Sequence, residues 1–178
     1  MIPIDRYPYV KHSATIREAI IQIENSSLEI GGRRSLPRAL LVFDEESHLL
    51  GIVRRRDILR GLEPKFLRTM PMPRRKLLFD VEIQSDPDLV DLTTGRITGA
   101  MREQAKGPVS EIMQPISATV DYDDHLAKIV YRMLSQNINL LPVLRGDEVV
   151  GVVRSVDVFR VVADLLLRDE ESSTTPET

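Results

Sequence analysis

Residues 49–60, LLGIVRRRDILR, recur in closely matching form at 149–160, VVGVVRSVDVFR, and this internal repeat constrains the fold more than any other feature of the chain. The copies share Gly, Val, Arg, Asp and Arg at matched places. Elsewhere they hold like apolar residues, except at Arg55/Ser155 and Arg56/Val156. A chain built from copies of one short unit buries its apolar surface between neighbouring units, because a single unit lacks the core to stand alone.

The surroundings of the two segments repeat as well. Ile16, Ala19, Ile20 and Ile23 fall at the i, i+3, i+4, i+7 spacing of a helix face, and Leu126, Ile129, Val130 and Met133 do the same in the second copy. Between each helix and its Gly segment lies a short apolar run, Ala39–Phe43 or Leu140–Leu144, followed by a polar turn, DEESH or RGDE. Each unit therefore reads strand, helix, strand, turn, strand, helix. In the first these are Tyr9–Lys11, Thr15–Ser26, Ala39–Phe43, Leu49–Val53 and Arg55–Leu62, and the second runs from Ala118 to Leu167. The expected class is α/β, each unit a small three-stranded sheet with two helices, the two burying their apolar faces jointly.

Four segments follow from this reading: a first repeat at 1–62, a connector at 63–107, a second repeat at 108–168 and a tail at 169–178. The first repeat carries an insertion, LEIGGRRSL, whose Gly31-Gly32 pair predicts a flexible loop, where the second passes tightly through Asn137-Ile138-Asn139. The connector opens with TMPMPRRK, continues through LLFDVEI, and predicts a helix from Asp86-Pro87 onward, weakened by Gly95 and Gly99. The tail, DEESSTTPET, has no apolar residue to bury and is expected to be disordered.

Composition removes several function classes. There is no cysteine, so disulfides and thiolate metal sites are excluded, which fits a reducing cytoplasm. The first residues, MIPIDRYPYV, lack the pattern of a secretion signal, and no apolar run is long enough to span a bilayer, so the expectation is a cytosolic protein with no membrane partner. A formal charge of −3 and few aromatic residues oppose nucleic-acid binding, although basic clusters stand at Arg33-Arg34, Arg54-Arg55-Arg56 and Arg74-Arg75-Lys76. His12, His48 and His125 belong to no metal-ligand, nucleophile-elbow or phosphate-loop pattern, so the chain is not expected to be an enzyme. The acidic turn at Asp121, Asp123 and Asp124 is explained by helix capping rather than by a metal.

The paired segments resemble the CBS domain family, whose unit ends in an apolar strand, Gly, two apolar residues, a hydroxyl residue, two variable residues and Asp before a helix. The second copy matches in order through PVSEIMQP, DYDDH, LAKIVYRMLSQ, LLPVL and VVGVVRSVDVF across 108–160, and the first matches from about residue 8 to 62 around its insertion. The resemblance implies a pseudo-twofold pair with clefts for adenosine-type ligands such as AMP, ADP, ATP or S-adenosylmethionine. It also implies homodimerisation and signalling to an effector protein, or, with degenerate clefts, a ligand-free scaffold. By this resemblance Asp57 and Asp157 hold ribose hydroxyls. Val10, Arg38, Ala39, Val120, Asn139 and Leu140 then stand near the adenine.

An ionised carboxylate suits a ribose diol because its two oxygens only accept, and they can take both hydroxyl protons. The same residue type also suits the first turn of a helix, where a negative side chain meets exposed amides and the macrodipole. Both uses remain open for Asp57 and Asp157. The chain departs from the family at the hydroxyl position, which is Arg54 in one copy and Arg154 in the other. An Arg there can take a phosphate in a bidentate fork, or it can project to solvent or pair with acidic residues of a neighbouring pair. Ser155 restores a hydroxyl one residue on, and Arg34 on the insertion is a further candidate for a polyphosphate.

Overall fold

The computed structural model describes residues 1–30, 33–64 and 87–171. Contacts divide them into two compact units, one spanning Pro8–Pro115 and the other joining Met1–Tyr7 to the chain from Ile116 onward.

In the 8–115 unit, β2 (Tyr9–Lys11) leads into α1 (Ile16–Asn25), and the chain returns through β5 (Ala39–Phe43) and β6 (Leu49–Arg54) to α2 (Arg55–Leu62). The stripe read from the sequence faces inward: Ile16, Ala19 and Ile23 are buried, and Ile20 packs against the same core. Thr15 caps α1, its hydroxyl accepting from the Glu18 amide at 3.2 Å while the Thr15 amide donates to Glu18 Oε2 at 2.6 Å. Every residue of β5 is buried, as expected of a strand written as a continuous apolar run. A tight turn then pairs β5 antiparallel with β6.

The other unit repeats this order with β8 (Val120–Asp121), α4 (Leu126–Ser135), β9 (Leu140–Arg145), β10 (Glu148–Arg154) and α5 (Ser155–Glu171). Val120, Met133, Leu141, Val143, Val153 and Val158 form its core, with Leu126, Ile129 and Val130 packed against them. The first strand of each unit runs parallel to the second, Val10 beside Val42 and Val120 beside Val143.

Each sheet gains a fourth strand from a distant part of the sequence. β7 (Gln114–Pro115) adds to β6, giving the order β2-β5-β6-β7, and β1 (Ile2–Pro3) adds to β10, giving β1-β10-β9-β8. The register sets Pro115 opposite Gly51 and Pro3 opposite Gly151. Both added strands are edges, where a proline's missing amide proton costs the ladder least. The two glycines of the repeated segment are where these strands approach: a Cβ on Gly51 would meet the Gln114 carbonyl oxygen at 2.5 Å, and one on Gly151 the Ile2 carbonyl oxygen at 2.5 Å. The apolar pattern gave no sign of these pairings, because two-residue strands carry no periodicity.

The insertion is more ordered than expected on either side of Gly31-Gly32, which themselves lie outside the described residues. β3 (Leu28–Ile30) pairs antiparallel with β4 (Arg33–Ser35), Glu29 opposite Arg34. Three-residue strands are too short to show a period, so the apolar pattern of the insertion gave no sign of this pairing. The connector helix is present as α3 (Pro87–Gln104), and its end joins the core through Met101 and Ala105. TMPMPRRK and LLFDVEI lie outside the described residues. α5 continues over Asp169, Glu170 and Glu171, three residues into the segment expected to be disordered. A helix already nucleated extends readily through good helix formers such as Glu, whatever their polarity. Residues 172–178 lie outside the described residues.

Replacing Gly51 or Gly151 by Ala drives a methyl against backbone rather than a yielding side chain, so each is expected to cost about 1–3 kcal/mol. Urea denaturation of Gly51→Ala and Gly151→Ala checks this. Midpoints equal to the unaltered protein's would mean that the added strands are not held against these glycines.

Candidate functional site

The chemistry-bearing residues of each repeat meet at the corner where the last strand turns into the last helix. β6 delivers Arg54 and α2 begins at the next residue, so Asp57 falls in the first helical turn. Arg54 Nε donates to Asp57 Oδ2 at 2.7 Å and Nη2 to Oδ1 at 3.2 Å, while the Arg54 amide donates to Oδ2 at 3.1 Å. The arrangement recurs at Arg154, whose Nε and Nη2 each donate to Asp157 at 2.8 Å. Spacing i to i+3 across a strand-to-helix corner thus produces a bidentate guanidinium–carboxylate pair twice.

These pairs explain why an Arg can replace the hydroxyl residue. A Ser or Thr there would cap the helix by accepting from first-turn amides, which Arg cannot do because it carries no acceptor. Asp57 supplies the reverse half of a capping box by accepting from the Arg54 amide, and the guanidinium neutralises its charge.

The two pairs differ in exposure. Asp57 is 2% exposed beneath an Arg54 side chain that is 31% exposed, whereas the Arg154 and Asp157 side chains are 11% and 13% exposed. Burial raises the Asp157 pKa, but the hydrogen bonds and charge of Arg154 outweigh it and hold the carboxyl below its ordinary value. The same pairing raises Arg154. Tyr7 is buried beside this pair; its phenol is raised chiefly by burial, countered by the charge of Arg154. Sequence reading did not single out Tyr7. The only signal for it was an aromatic residue just before Pro8 in a segment taken for the first repeat.

Other expected site residues divide into those at the corners and those in the cores. Arg38 and Ala39 are at the first corner: the Arg55 amide donates to the Arg38 carbonyl at 3.2 Å, and Ala39 stands opposite Arg54. Asn139 and Leu140 match them, the Ser155 amide donating to the Asn139 carbonyl at 2.9 Å and Leu140 standing opposite Arg154. Ser155 is the first residue of α5. Val10 and Val120 pair three residues farther along, beside Val42 and Val143, and their side chains belong to the two cores. Arg34 stands in β4, and its side chain lies outside the described residues.

Asp57 also lines a cavity of about 440 Å³ within the 8–115 unit, together with Arg60, Glu103, Gln104, Glu111 and Gln114. That size is in the range of small-molecule sites. Two glutamates in its wall disfavour a phosphate there. Among the described residues, no cluster of three or more His, Asp or Glu could hold a metal ion. No described helix is long and apolar enough to cross a membrane.

Protonation gives a check on the second corner. Because the folded Asp157 pKa is depressed, its stabilisation is complete above the unfolded value of about 3.9 and is lost as pH falls through the folded value. The stability difference between the unaltered protein and Asp157→Asn is expected to hold constant above about pH 5 and to shrink under more acid conditions. A difference independent of pH down to acid unfolding would show that the carboxylate is not held ionised by Arg154.

Comparison with known proteins places this geometry in context. The CBS domain family matches residues 2–64 and 109–164. An uncharacterised protein of Methanocaldococcus jannaschii is 29% identical over 154 residues, covering 84% of this chain but 31% of the relative, so the chain spans about a third of that protein's length. A putative acetoin utilization protein (AcuB) of Vibrio cholerae superposes with a TM-score of 0.58 at 20% identity, over 99% of this chain and 94% of its own. CBSX2, solved in complex with AMP, superposes with a TM-score of 0.57 at 16% identity, over 93% of each chain.

Proposed function

Because the chain belongs to the CBS domain family and carries two such domains in tandem, we propose that it is a non-catalytic regulatory module that binds an adenine nucleotide or adenosine derivative and signals to a partner protein. AMP, ADP, ATP and S-adenosylmethionine are the ligands to test. The observation that carries this reading is the repeated corner: in each unit an acceptor-only carboxylate, Asp57 or Asp157, heads a helix beside a guanidinium that can meet a phosphate. The likeness to a fold solved with AMP supports the same direction.

In this reading Asp57 and Asp157 take the ribose, and Arg54 and Arg154, with Ser155, face the phosphate. Arg38, Ala39, Asn139 and Leu140 border the adenine. A ribose hydroxyl reaches either carboxylate only by sharing or displacing the bonds from its Arg, so binding exchanges one set of charge-assisted hydrogen bonds for another. The ligand's differential affinity for the paired and unpaired states then sets how far the module responds. The output passes to an effector protein in the cytoplasm.

A second reading, an interaction scaffold, is favoured by a different observation. Both carboxylates already have partners, while α4 and α5 expose Tyr131, Leu134, Phe159 and Leu166, each at least 65% exposed. An apolar face of this kind suits a homodimer contact, and the proposed module would dimerise through it whether or not it binds nucleotide.

Thermal unfolding with AMP, ADP, ATP, S-adenosylmethionine and a deoxyadenosine nucleotide, each titrated at fixed ionic strength, separates the two. The sensor is expected to show a saturable rise in Tm for ribonucleotides and a weaker one for the deoxy form. Asp157→Ala is expected to weaken binding about tenfold or more, equivalent to roughly 1–3 kcal/mol of lost hydrogen bonding. No shift with any ligand, in folded protein free of copurified nucleotide, would leave the scaffold.

A further inference from the structure

The two corners hold the same Arg–Asp pair in unequal electrostatic settings. Beside Arg54 stand Arg38, Arg55 and Arg56, all exposed; beside Arg154 the matched residues are Asn139, Ser155 and Val156. The match is structural as well as sequential, since the first amide of each helix donates to the carbonyl of the first residue in each set, Arg38 or Asn139. Over the matched residues alone, four arginines against Asp57 give the first corner a formal charge of +3 and one arginine against Asp157 gives the second a charge of zero, to which the nearby Met1 amino group adds one positive charge. Arg55 and Arg56 versus Ser155 and Val156 are also the only positions at which the repeated segments differ in kind.

Exposure reinforces the contrast. The Arg54 side chain is 31% exposed and that of Arg154 is 11% exposed. A guanidinium has five N–H donors, and Asp57 engages two of its nitrogens. The rest of an accessible fork can take phosphate oxygens while the ion pair persists. Arg54 also leaves first-turn amides of α2 without a side-chain cap, and such amides favour an anion. Three exposed arginines next to them concentrate positive potential that a solvated surface alone does not need, on a chain whose overall charge is −3.

We propose that the Arg38, Arg54, Arg55 and Arg56 corner accepts the polyphosphate of a nucleoside di- or triphosphate, whereas the Arg154 corner accepts a ligand with one phosphate or none. The inference rests on the nucleotide-binding reading above and adds to it which corner takes which class of ligand. The acidic cavity on the other elements around Asp57 leaves the arginine side as the place for the phosphates.

The test is titration calorimetry of ATP, ADP and AMP without added magnesium, on the unaltered protein and on Arg55→Ser/Arg56→Val, which gives α2 the first two residues of α5 and leaves Arg38 in place. Both altered positions are exposed, and a thermal melt confirms folding. ATP binding is expected to weaken about tenfold or more and AMP binding to change less than about threefold; the dependence of ATP affinity on salt is expected to flatten. Ser155→Arg/Val156→Arg is expected to strengthen ATP binding at the second corner, and it keeps the test alive if the first variant does not fold. ATP affinity unchanged in both variants, with nucleotide binding intact, would overturn this inference and leave the proposed function standing. No binding of any adenine nucleotide to the unaltered protein would overturn both, and arginine-dependent binding of a single-stranded oligonucleotide in its place would reassign the corner to nucleic acid.

Discussion

The close passage of one backbone over another at Gly51 and Gly151 is the constraint on which each sheet depends. Both glycines admit a strand from far away in sequence, and in both the opposing residue is a proline at the sheet edge. The first residues of the chain thereby belong to the sheet of the second repeat, and the residues after α3 belong to the sheet of the first. A side chain at either glycine would force the strands apart by steric contact with a carbonyl oxygen, which no rotamer can relieve. The missing Cβ is therefore a tertiary requirement rather than a turn signal.

The strand that contains each glycine, β6 or β10, ends in the corner that carries the charged pair. A strand and a helix joined without a loop place residues i and i+3 on the same side of the chain, so Arg and Asp meet by local geometry. The pair solves two problems together: it occupies the helix N-terminus with a negative group, and it neutralises a carboxylate that burial would otherwise disfavour. Such a pair is costly to break from one side and cheap to exchange for an equivalent partner. That property suits a site that answers to an anionic ligand, and it gives a stable resting state to a scaffold.

Much of this was legible in the residues themselves. The helical stripes of α1 and α4, the apolar runs of β5 and β9 and the strand-to-helix corners all follow from local periodicity, and each falls where the spacing put it. The helix at Pro87–Gln104 was legible from its Asp-Pro start despite two internal glycines. The site was legible as a set of positions but not as a set of bonds. Arg54 and Asp57 could be named from the repeat, whereas their mutual engagement requires the angle at which β6 enters α2. Val10 and Val120 were named from alignment alone, and their register along β5 and β9 puts their side chains in the two cores.

The sequence by itself determined the repeat, the α/β order within each unit and the asymmetry of charge between Arg55-Arg56 and Ser155-Val156, because these depend on residue type and short-range spacing. Only the tertiary structure decided the exchange of edge strands, the burial of Tyr7 beside Arg154 and Asp157, the hairpin within the insertion and the closure of each Asp by its own Arg. Those features arise from pairings between residues remote in the chain or from the angle between consecutive elements. Neither leaves a period or a composition for a linear reading to detect.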